Sequence, residues 1–204
     1  MTKKLSLILL TLALFFTSCG TRSNNNEIST CIDGVVINGI RWATRNVDAP
    51  GTFAENPEDA GMLFQWNRRK GWNAVDEKVE GWDSSMPTGT KWYIENDPCP
   101  EGWRVPTNNE LNLLQEASSE WATRNGVNGC FFGTGENRIF LPASGWRHGI
   151  TSALNRVGTY GNYWSSIEGC SDSARTLSFD NGHVYIGNYS WRNGGFSIRC
   201  VSNK

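Results

Sequence analysis

Six cysteines and two histidines are the side chains of this sequence that could act as nucleophiles, general bases or soft metal ligands. They are Cys19, Cys31, Cys99, Cys130, Cys170 and Cys200, with His148 and His183. No CxxC pair and no cysteine–histidine cluster occurs, so the spacing predicts no zinc site. Neither a serine–histidine–acid arrangement nor paired catalytic carboxylates can be recognised around two isolated histidines. We therefore predict a protein that is not an enzyme and needs no cofactor, while a structural calcium ion stays open.

Aromatic and arginine side chains in the C-terminal half are the candidates for binding chemistry. They lie in or beside glycine-rich loops, and Trp, Tyr and Arg are the residues that anchor interfaces and stack on sugars. The candidate ligand-binding residues are Trp146, Arg147, Trp164, Tyr189, Trp191 and Arg192. The alternative is that these rings form the core, because a chain poor in aliphatic residues must fill its interior with them. That alternative applies most directly to Trp146 and Trp164.

The N-terminal residues predict export. Lys3 and Lys4 precede a 12-residue apolar run, and small residues then lead to Cys19. This pattern is typical of a secretory signal over residues 1–18 and is too short for a mature membrane-spanning helix. Because Cys19 follows two small residues, the boundary also resembles a bacterial lipobox of the looser Bacteroidetes type, with Phe16 where leucine is usual. We expect Cys19 to be lipidated and the protein to be an outer-membrane lipoprotein at the cell surface; plain secretion is the alternative.

The composition beyond the signal predicts a tether followed by one domain. Residues 19–30 are polar and rich in Asn and Ser, which is typical of a flexible spacer. Residues 31–204 are the right length for a single domain. Subtracting Lys3 and Lys4 from 19 basic residues, against 20 acidic ones, gives a net charge of −3 with no basic run, so nucleic acid is not an expected partner. All 10 Trp fall in the mature chain, which predicts an aromatic core.

The segment 97–114, DPCPEGWRVPTNNELNLL, predicts a stiff entry into a short helix. Three prolines hold its first half extended. Thr107 then stands three residues before Glu110, the spacing of a capping box, and Leu111 and Leu114 share one helical face. We assign this segment to the fold and not to chemistry.

Strand signals dominate the rest of the chain. Asn38-Gly39 separates two short apolar runs, and Asn181-Gly182 separates residues 174–180 from 183–189, so each pair predicts a hairpin turn. Residues 195–201 predict a single closing strand. Residues 67–91 form a long polar loop, and loops of this length tend to be functional or mobile. The fold class is therefore α+β.

Five separated motifs carry a resemblance to a known family. In chain order they are INGIRWATRNV (37–47), NDPCPEGWRVPTNNEL (96–111), FLPASGW (140–146), GNYWSS (161–166) and GFSIRCV (195–201). Together they resemble the Fibrobacter succinogenes major paralogous domain, which is found mostly in lipoproteins of Bacteroidetes and Fibrobacteres. The resemblance runs from about Val35 to Val201.

The resemblance implies a C-type-lectin-like fold, with short mixed or antiparallel strands, one or two helices and long loops that carry the binding surface. In such a fold the first and last strands pair, and Cys99 and Cys200 are the natural disulfide. A Cys130–Cys170 bridge, which would leave Cys31 over, is a further expectation that the resemblance does not itself support. The helix start also looks like that of formylglycine-generating enzymes, but the likeness stops there. The calcium-dependent sugar motifs of true C-type lectins are missing, since residues 55–57 read Glu-Asn-Pro.

These observations predict a non-catalytic binding module held at the membrane by a lipid anchor. Its partner would be an extracellular glycan or protein. The rival hypothesis is a structural or accessory subunit of a surface appendage, such as a tip or adhesin-type component.

Overall fold

The computed structural model describes residues 34–203, and the side chain of Ile186 is not described. The signal peptide over residues 1–18, the lipidation of Cys19, the tether over residues 19–30 and the state of Cys31 all lie outside the described residues. No described helix has the length and apolarity needed to cross a membrane.

Short strands make up most of the regular structure. In chain order they are β1 Gly34–Ile37, β2 Ile40–Ala43, β3 Leu63–Gln65, β4 Gly71–Trp72, β5 Trp103–Arg104, β6 Ser119–Arg124, β7 Val127–Thr134, β8 Asn137–Pro142, β9 Trp146–Arg147, β10 Leu154–Asn155, β11 Tyr160–Glu168, β12 Ser173–Asp180, β13 Val184–Trp191, β14 Gly195–Phe196 and β15 Val201–Ser202. The α-helix, α1, spans Asn108–Glu116, and a 3-10 turn spans Ile94–Asn96.

The strands form four sheets, and every pairing between named strands is antiparallel. The strand orders are β1-β2-β15-β5, β10-β9-β14-β3-β4, β11-β12-β13 and β6-β7-β8. With one short α-helix in the described part of the chain, the class is α+β, as the sequence predicts.

The Asn38-Gly39 and Asn181-Gly182 pairs lie at hairpin turns, as predicted. Asn38 and Gly39 join β1 to β2 with φ values of 47° and 80°, and a type I′ turn needs positive φ at both central positions. Asn181 and Gly182 lie in the connection between β12 and β13, whose register places Phe179 opposite Val184. Local turn chemistry is therefore enough to predict both hairpins.

The helix begins as the capping-box spacing predicts. Thr107 Oγ1 accepts a hydrogen bond from the Glu110 backbone N–H at 3.3 Å, and Glu110 Oε2 accepts from the Thr107 N–H at 2.7 Å. Arg104 adds a bidentate ion pair to Glu110, with N–O distances of 2.8 and 2.6 Å. Burial acts to raise the pKa of Glu110, but the bonds from Arg104 and Thr107 together hold that pKa below its usual value. The ion pair links β5 to the helix start.

The last residues of the chain join two sheets instead of forming the single predicted strand. β14 pairs with β3 and β9, whereas β15 lies between β2 and β5. Between them the carbonyls of Ile198 and Cys200 accept from the amides of Val47 and Ala43, so no continuous ladder forms. The expectation that the first and last strands pair is corrected in the same way, because β2 separates β1 from β15.

A disulfide joins Cys99, in the proline-rich segment before α1, to Cys200 beside β15. This is the bridge that the family resemblance implies. Arg199, next to Cys200, is buried. Its guanidinium donates hydrogen bonds to Asn46 Oδ1 at 2.8 and 3.0 Å and to the Phe140 carbonyl at 2.9 Å. Arg199 therefore ties the last segment to the core.

The core is built from indoles, as the composition predicts. Trp42, Trp66 and Trp164 are fully buried. The Trp164 indole stacks on Phe196 at a centroid distance of 4.3 Å and donates to the Phe64 carbonyl, while the Trp66 indole donates to the Ser165 carbonyl. Trp66 and Trp164 therefore fill the core with their N–H groups satisfied, whereas the buried Trp42 Nε1 has no acceptor among the described residues.

Candidate ligand-binding site

An open cavity of about 600 Å³ lies beside the three-stranded sheet β11-β12-β13. Its walls come from β9, β11, β13 and β14 and from the loops at residues 148–150 and 193–194. Ordinary small-molecule sites have volumes of about 300–1,000 Å³, so this cavity is large enough for a ligand. Four of the six residues predicted to bind ligand, Trp146, Arg147, Tyr189 and Trp191, line it.

One wall consists of Trp146, Tyr160 and Arg156. The two rings meet edge to face with centroids 5.5 Å apart. The Arg156 guanidinium lies 5.6 Å from the Trp146 centroid and 5.7 Å from the Tyr160 centroid. Both rings are half-buried, so each keeps part of its surface at the cavity. Mutual packing therefore sets the orientation of all three side chains before any ligand binds.

The rim carries the two most accessible large aromatic rings of the cavity, Tyr189 and Trp191. Their side chains are 51% and 67% exposed, although both belong to the well-paired strand β13. Arg175 lies over the Tyr189 ring at 4.4 Å. A Cβ at Gly169 would approach Tyr189 Cδ1 to 2.2 Å, so only glycine allows the Tyr189 ring to pack in this position. These contacts hold Tyr189 at the rim, next to Trp191.

Polar groups that could bind hydroxyls also line the cavity. Asn193 is 4% exposed; its amide donates to the Ser84 carbonyl, but its Oδ1 is buried and accepts no hydrogen bond from a described residue. His148 is exposed, and its Nδ1 lies 3.3 Å from the amides of Ile150 and Thr151. Because those amides donate, a neutral ring carries its proton on Nε2, which is assigned from the bonding pattern. Ser190 and Asn188 add further polar side chains.

Arg147 lines the cavity but does not offer it a guanidinium. The side chain is fully buried, and its nitrogens donate to the carbonyls of Asn73, Asp76 and Ser152 at 2.6–2.9 Å. Burial lowers the pKa of Arg147, with Asp76 acting in the opposite direction. The prediction that Arg147 binds ligand is therefore corrected: its role is to fasten the long loop over residues 67–91 to β9.

Two other candidates lie away from the cavity. Trp164 is fully buried under Phe196, as the alternative core interpretation held. Arg192 is 2% exposed; it forms an ion pair with Glu168, donates to the Gly89 and Ser173 carbonyls, and lies 4.4 Å from the Trp66 centroid. Both residues were predicted as ligand contacts, and both stabilise the interior. Sequence position beside a loop could not reveal that they point inward.

The expected Cys130–Cys170 bridge is wrong. Cys130 is buried in β7, where its side chain packs in the core with Leu141 and Phe132, whereas Cys170 is exposed in the turn between β11 and β12. Since one thiol faces the core and the other faces solvent, the two cannot bond without moving the backbone. Both are free thiols.

This difference predicts contrasting reactivity. We expect iodoacetamide at mildly alkaline pH to alkylate Cys170 in the native protein and Cys130 only after unfolding. Burial raises the pKa of Cys130 to about 11, so its thiol stays protonated, and the reactive species is the thiolate. Mass spectrometry of the two tryptic peptides measures this. Equal labelling of both in the native protein, or a cross-linked Cys130–Cys170 peptide, contradicts the assignment.

Arg156 lines the cavity but is not among the residues predicted from the sequence to bind ligand. This residue follows β10 in the turn that leads to β11 and has a positive φ of 53°, which is uncommon for a residue other than glycine. The signal that could have found it is its place just before the Gly- and Tyr-rich run GTYGNYW. Across residues 34–203, no group of three or more His, Cys, Asp or Glu side chains is arranged to hold a metal ion.

No protein-family model, no curated protein and no solved structure matches this chain.

Proposed function

We propose that this protein is a non-catalytic binding module that takes an extracellular glycan into the cavity beside β13. The observation that carries the proposal is the exposure of Tyr189 and Trp191 at the rim of a cavity of about 600 Å³. Large exposed rings are costly to keep in water, so two on one ordered strand mark a binding surface. The half-buried pair Trp146 and Tyr160 adds a second aromatic face.

The polar lining supports a saccharide over a purely apolar ligand. Sugar rings present C–H faces that stack on aromatic rings and hydroxyls that both donate and accept. His148, Asn188 and Ser190 line the cavity and offer side-chain hydrogen-bonding groups to such hydroxyls.

Binding without catalysis is the better-supported activity. Among the described residues that line the cavity, no carboxylate or thiol accompanies His148. Glycosidic bond cleavage by the common mechanisms needs a pair of carboxylic acids on either side of the bond. The described lining therefore has aromatic and amide groups that can bind a sugar, but not the pair of carboxylic acids that hydrolysis would need.

The wider architecture supports a C-type-lectin-like domain of the Fibrobacter succinogenes major paralogous type. β15 lies beside β2 in the sheet β1-β2-β15-β5, and a disulfide joins Cys200 to the stretch before α1. The disulfide is the one that the resemblance implies, whereas the last strand pairs with β2 and not with the first strand.

We propose in addition that the protein is exported and anchored in the outer membrane by lipid on Cys19. The support is the signal-like stretch 1–18 ending at Cys19, together with the Cys99–Cys200 disulfide, which is typical of oxidising compartments. We expect Cys19→Ala to move the protein from the detergent-soluble membrane fraction to the soluble fraction, because the acyl chains would be lost. Fractionation with Cys170→Ala as the matched cysteine control measures this; unchanged partition of Cys19→Ala contradicts lipidation.

A second candidate function is an accessory subunit of a surface appendage. The observation that favours it is the position of β13 at the end of the order β11-β12-β13, where an eight-residue strand carries the exposed rings Tyr185, Tyr189 and Trp191. An open strand edge can accept a strand from a partner. Co-purification with pilin-like proteins, with no saccharide bound, would favour this function over the first.

The direct test of the glycan proposal is an array screen of the purified protein, with Trp191→Ala as the discriminating variant.

A further inference from the structure

We infer that the cavity selects saccharides that carry a carboxylate, such as uronic acids, and that Arg156 binds that group. The inference rests on the proposed glycan-binding function and adds the ligand class. It depends on three observations: the freedom of the Arg156 guanidinium, the way the backbone presents it, and the charge of the cavity wall.

The first observation is that the N–H groups of the Arg156 guanidinium are available to donate hydrogen bonds to a ligand. The Arg156 side chain is exposed and lines the cavity. The contacts of its guanidinium in the described structure are with the rings of Trp146 and Tyr160, at 5.6 and 5.7 Å. Ring contacts fix where a guanidinium lies but do not use its N–H groups. Arg156 therefore keeps its planar set of donors, which matches a carboxylate in a bidentate pair.

The second observation is that the backbone around Arg156 is held in an unusual conformation. Arg156 has a φ of 53°, and its carbonyl accepts from the amides of Thr159 and Tyr160. The turn lies directly against Gly145, where a Cβ would come within 2.0 Å of the Asn155 carbonyl oxygen. A non-glycine residue in this region costs free energy, and such positions concentrate at ligand sites. The packing against Gly145 thus aims Arg156 at the cavity.

The third observation is a lack of competing acids. Arg68, Arg104, Arg124 and Arg192 each form an ion pair with a carboxylate of the chain. In contrast, no aspartate or glutamate is among the described residues that line the cavity with Arg156. The buried Arg147 guanidinium is not counted here, because its donors are used by carbonyls and the Asp76 carboxylate acts on it. Arg156 is therefore an exposed cation in a lining without acids, and an anionic ligand would be attracted to it.

The test compares matched pairs of oligosaccharides that differ only in the acid. Oligosaccharides are titrated into the full mature chain by calorimetry, at low and at high salt. Each pair has the same linkage and compares glucuronate with glucose, galacturonate with galactose, or mannuronate with mannose. We expect at least one acidic oligomer to bind about tenfold more tightly than its neutral partner, because a hydrogen bond to a charged group has that effect. High salt should reduce this preference.

Arg156→Gln is the discriminating variant. It removes the charge and keeps a polar, unbranched side chain at this exposed position, so the fold should persist. We expect the acidic preference, measured as the ratio of the affinities for the acidic and neutral partners in the same variant, to disappear in Arg156→Gln and to persist in part in Arg156→Lys. This ratio is the readout because losing the contacts with Trp146 and Tyr160 would weaken both partners alike. Arg138→Gln is the matched control, since Arg138 is also exposed and lies over a ring, Phe131 at 4.2 Å, away from this cavity.

The outcomes separate the two proposals. Equal binding of acidic and neutral partners, or an acidic preference that survives in Arg156→Gln, overturns the role of Arg156 while Trp191-dependent binding still supports the glycan function. If no oligosaccharide in the panel or on the array binds the wild-type protein, the glycan function and the acidic selectivity fail together.

Discussion

Replacing Trp191 with alanine is expected to lower the affinity for a bound saccharide about 30-fold, which corresponds to roughly 2 kcal/mol of binding free energy. Trp191 is 67% exposed, so it adds little to the core, but it lines the cavity and offers the largest accessible aromatic face there. Removing it deletes the stacking surface while leaving β13 paired to β12. Glycan-array screening identifies the ligand, and calorimetry with that ligand measures the loss.

Tyr185→Ala is the control for this experiment. Tyr185 is on the same strand, is 36% exposed, and lies outside the cavity, where it stacks on His183. We expect the affinity of Tyr185→Ala for the saccharide to equal that of the wild-type protein. If Trp191→Ala binds as tightly as the wild type, the cavity is not the glycan site; if both variants lose binding equally, the effect comes from β13 as a whole.

Removing the disulfide is expected to have the largest effect on stability. Cys99 and Cys200 are 101 residues apart in sequence, and closing a loop of that length stabilises a protein by roughly 4 kcal/mol in the chain-entropy model. The bridge also holds the last segment, with Arg199, against the core. We therefore expect the double substitution Cys99→Ala, Cys200→Ala to lower the free energy of unfolding by about 4 kcal/mol, measured by guanidinium denaturation.

Cys170→Ala is again the matched control, because Cys170 is exposed and unbridged. Its unfolding midpoint should equal that of the wild type, and reducing agent should lower the wild-type midpoint towards that of the double variant. A double variant as stable as the wild-type protein would mean that the bridge adds nothing to the native state. It would also weaken the fold resemblance, which implies this bridge.

The features that sequence alone determined are those whose physics is local. Thr107 and Glu110 are three residues apart, so their reciprocal bonds follow from helix geometry. Asn38 and Gly39 accept positive φ, so the β1–β2 turn follows from their identity. The abundance of tryptophan and the scarcity of aliphatic residues likewise predict an indole core, and Trp42, Trp66 and Trp164 fill it.

The choice among similar side chains was made only by the tertiary structure. Arg147, Arg156 and Arg192 are all arginines near loops, yet Arg147 and Arg192 are buried on backbone carbonyls and Arg156 is exposed at the cavity. Trp164 and Trp191 differ in the same way. The partners that bury two of these arginines include residues far away in the chain: Asn73 is 74 positions from Arg147, and Gly89 is 103 positions from Arg192. Spacing in sequence does not encode such long-range contacts. The packing of β9, β11 and β13 therefore decided which of the candidate residues line the cavity.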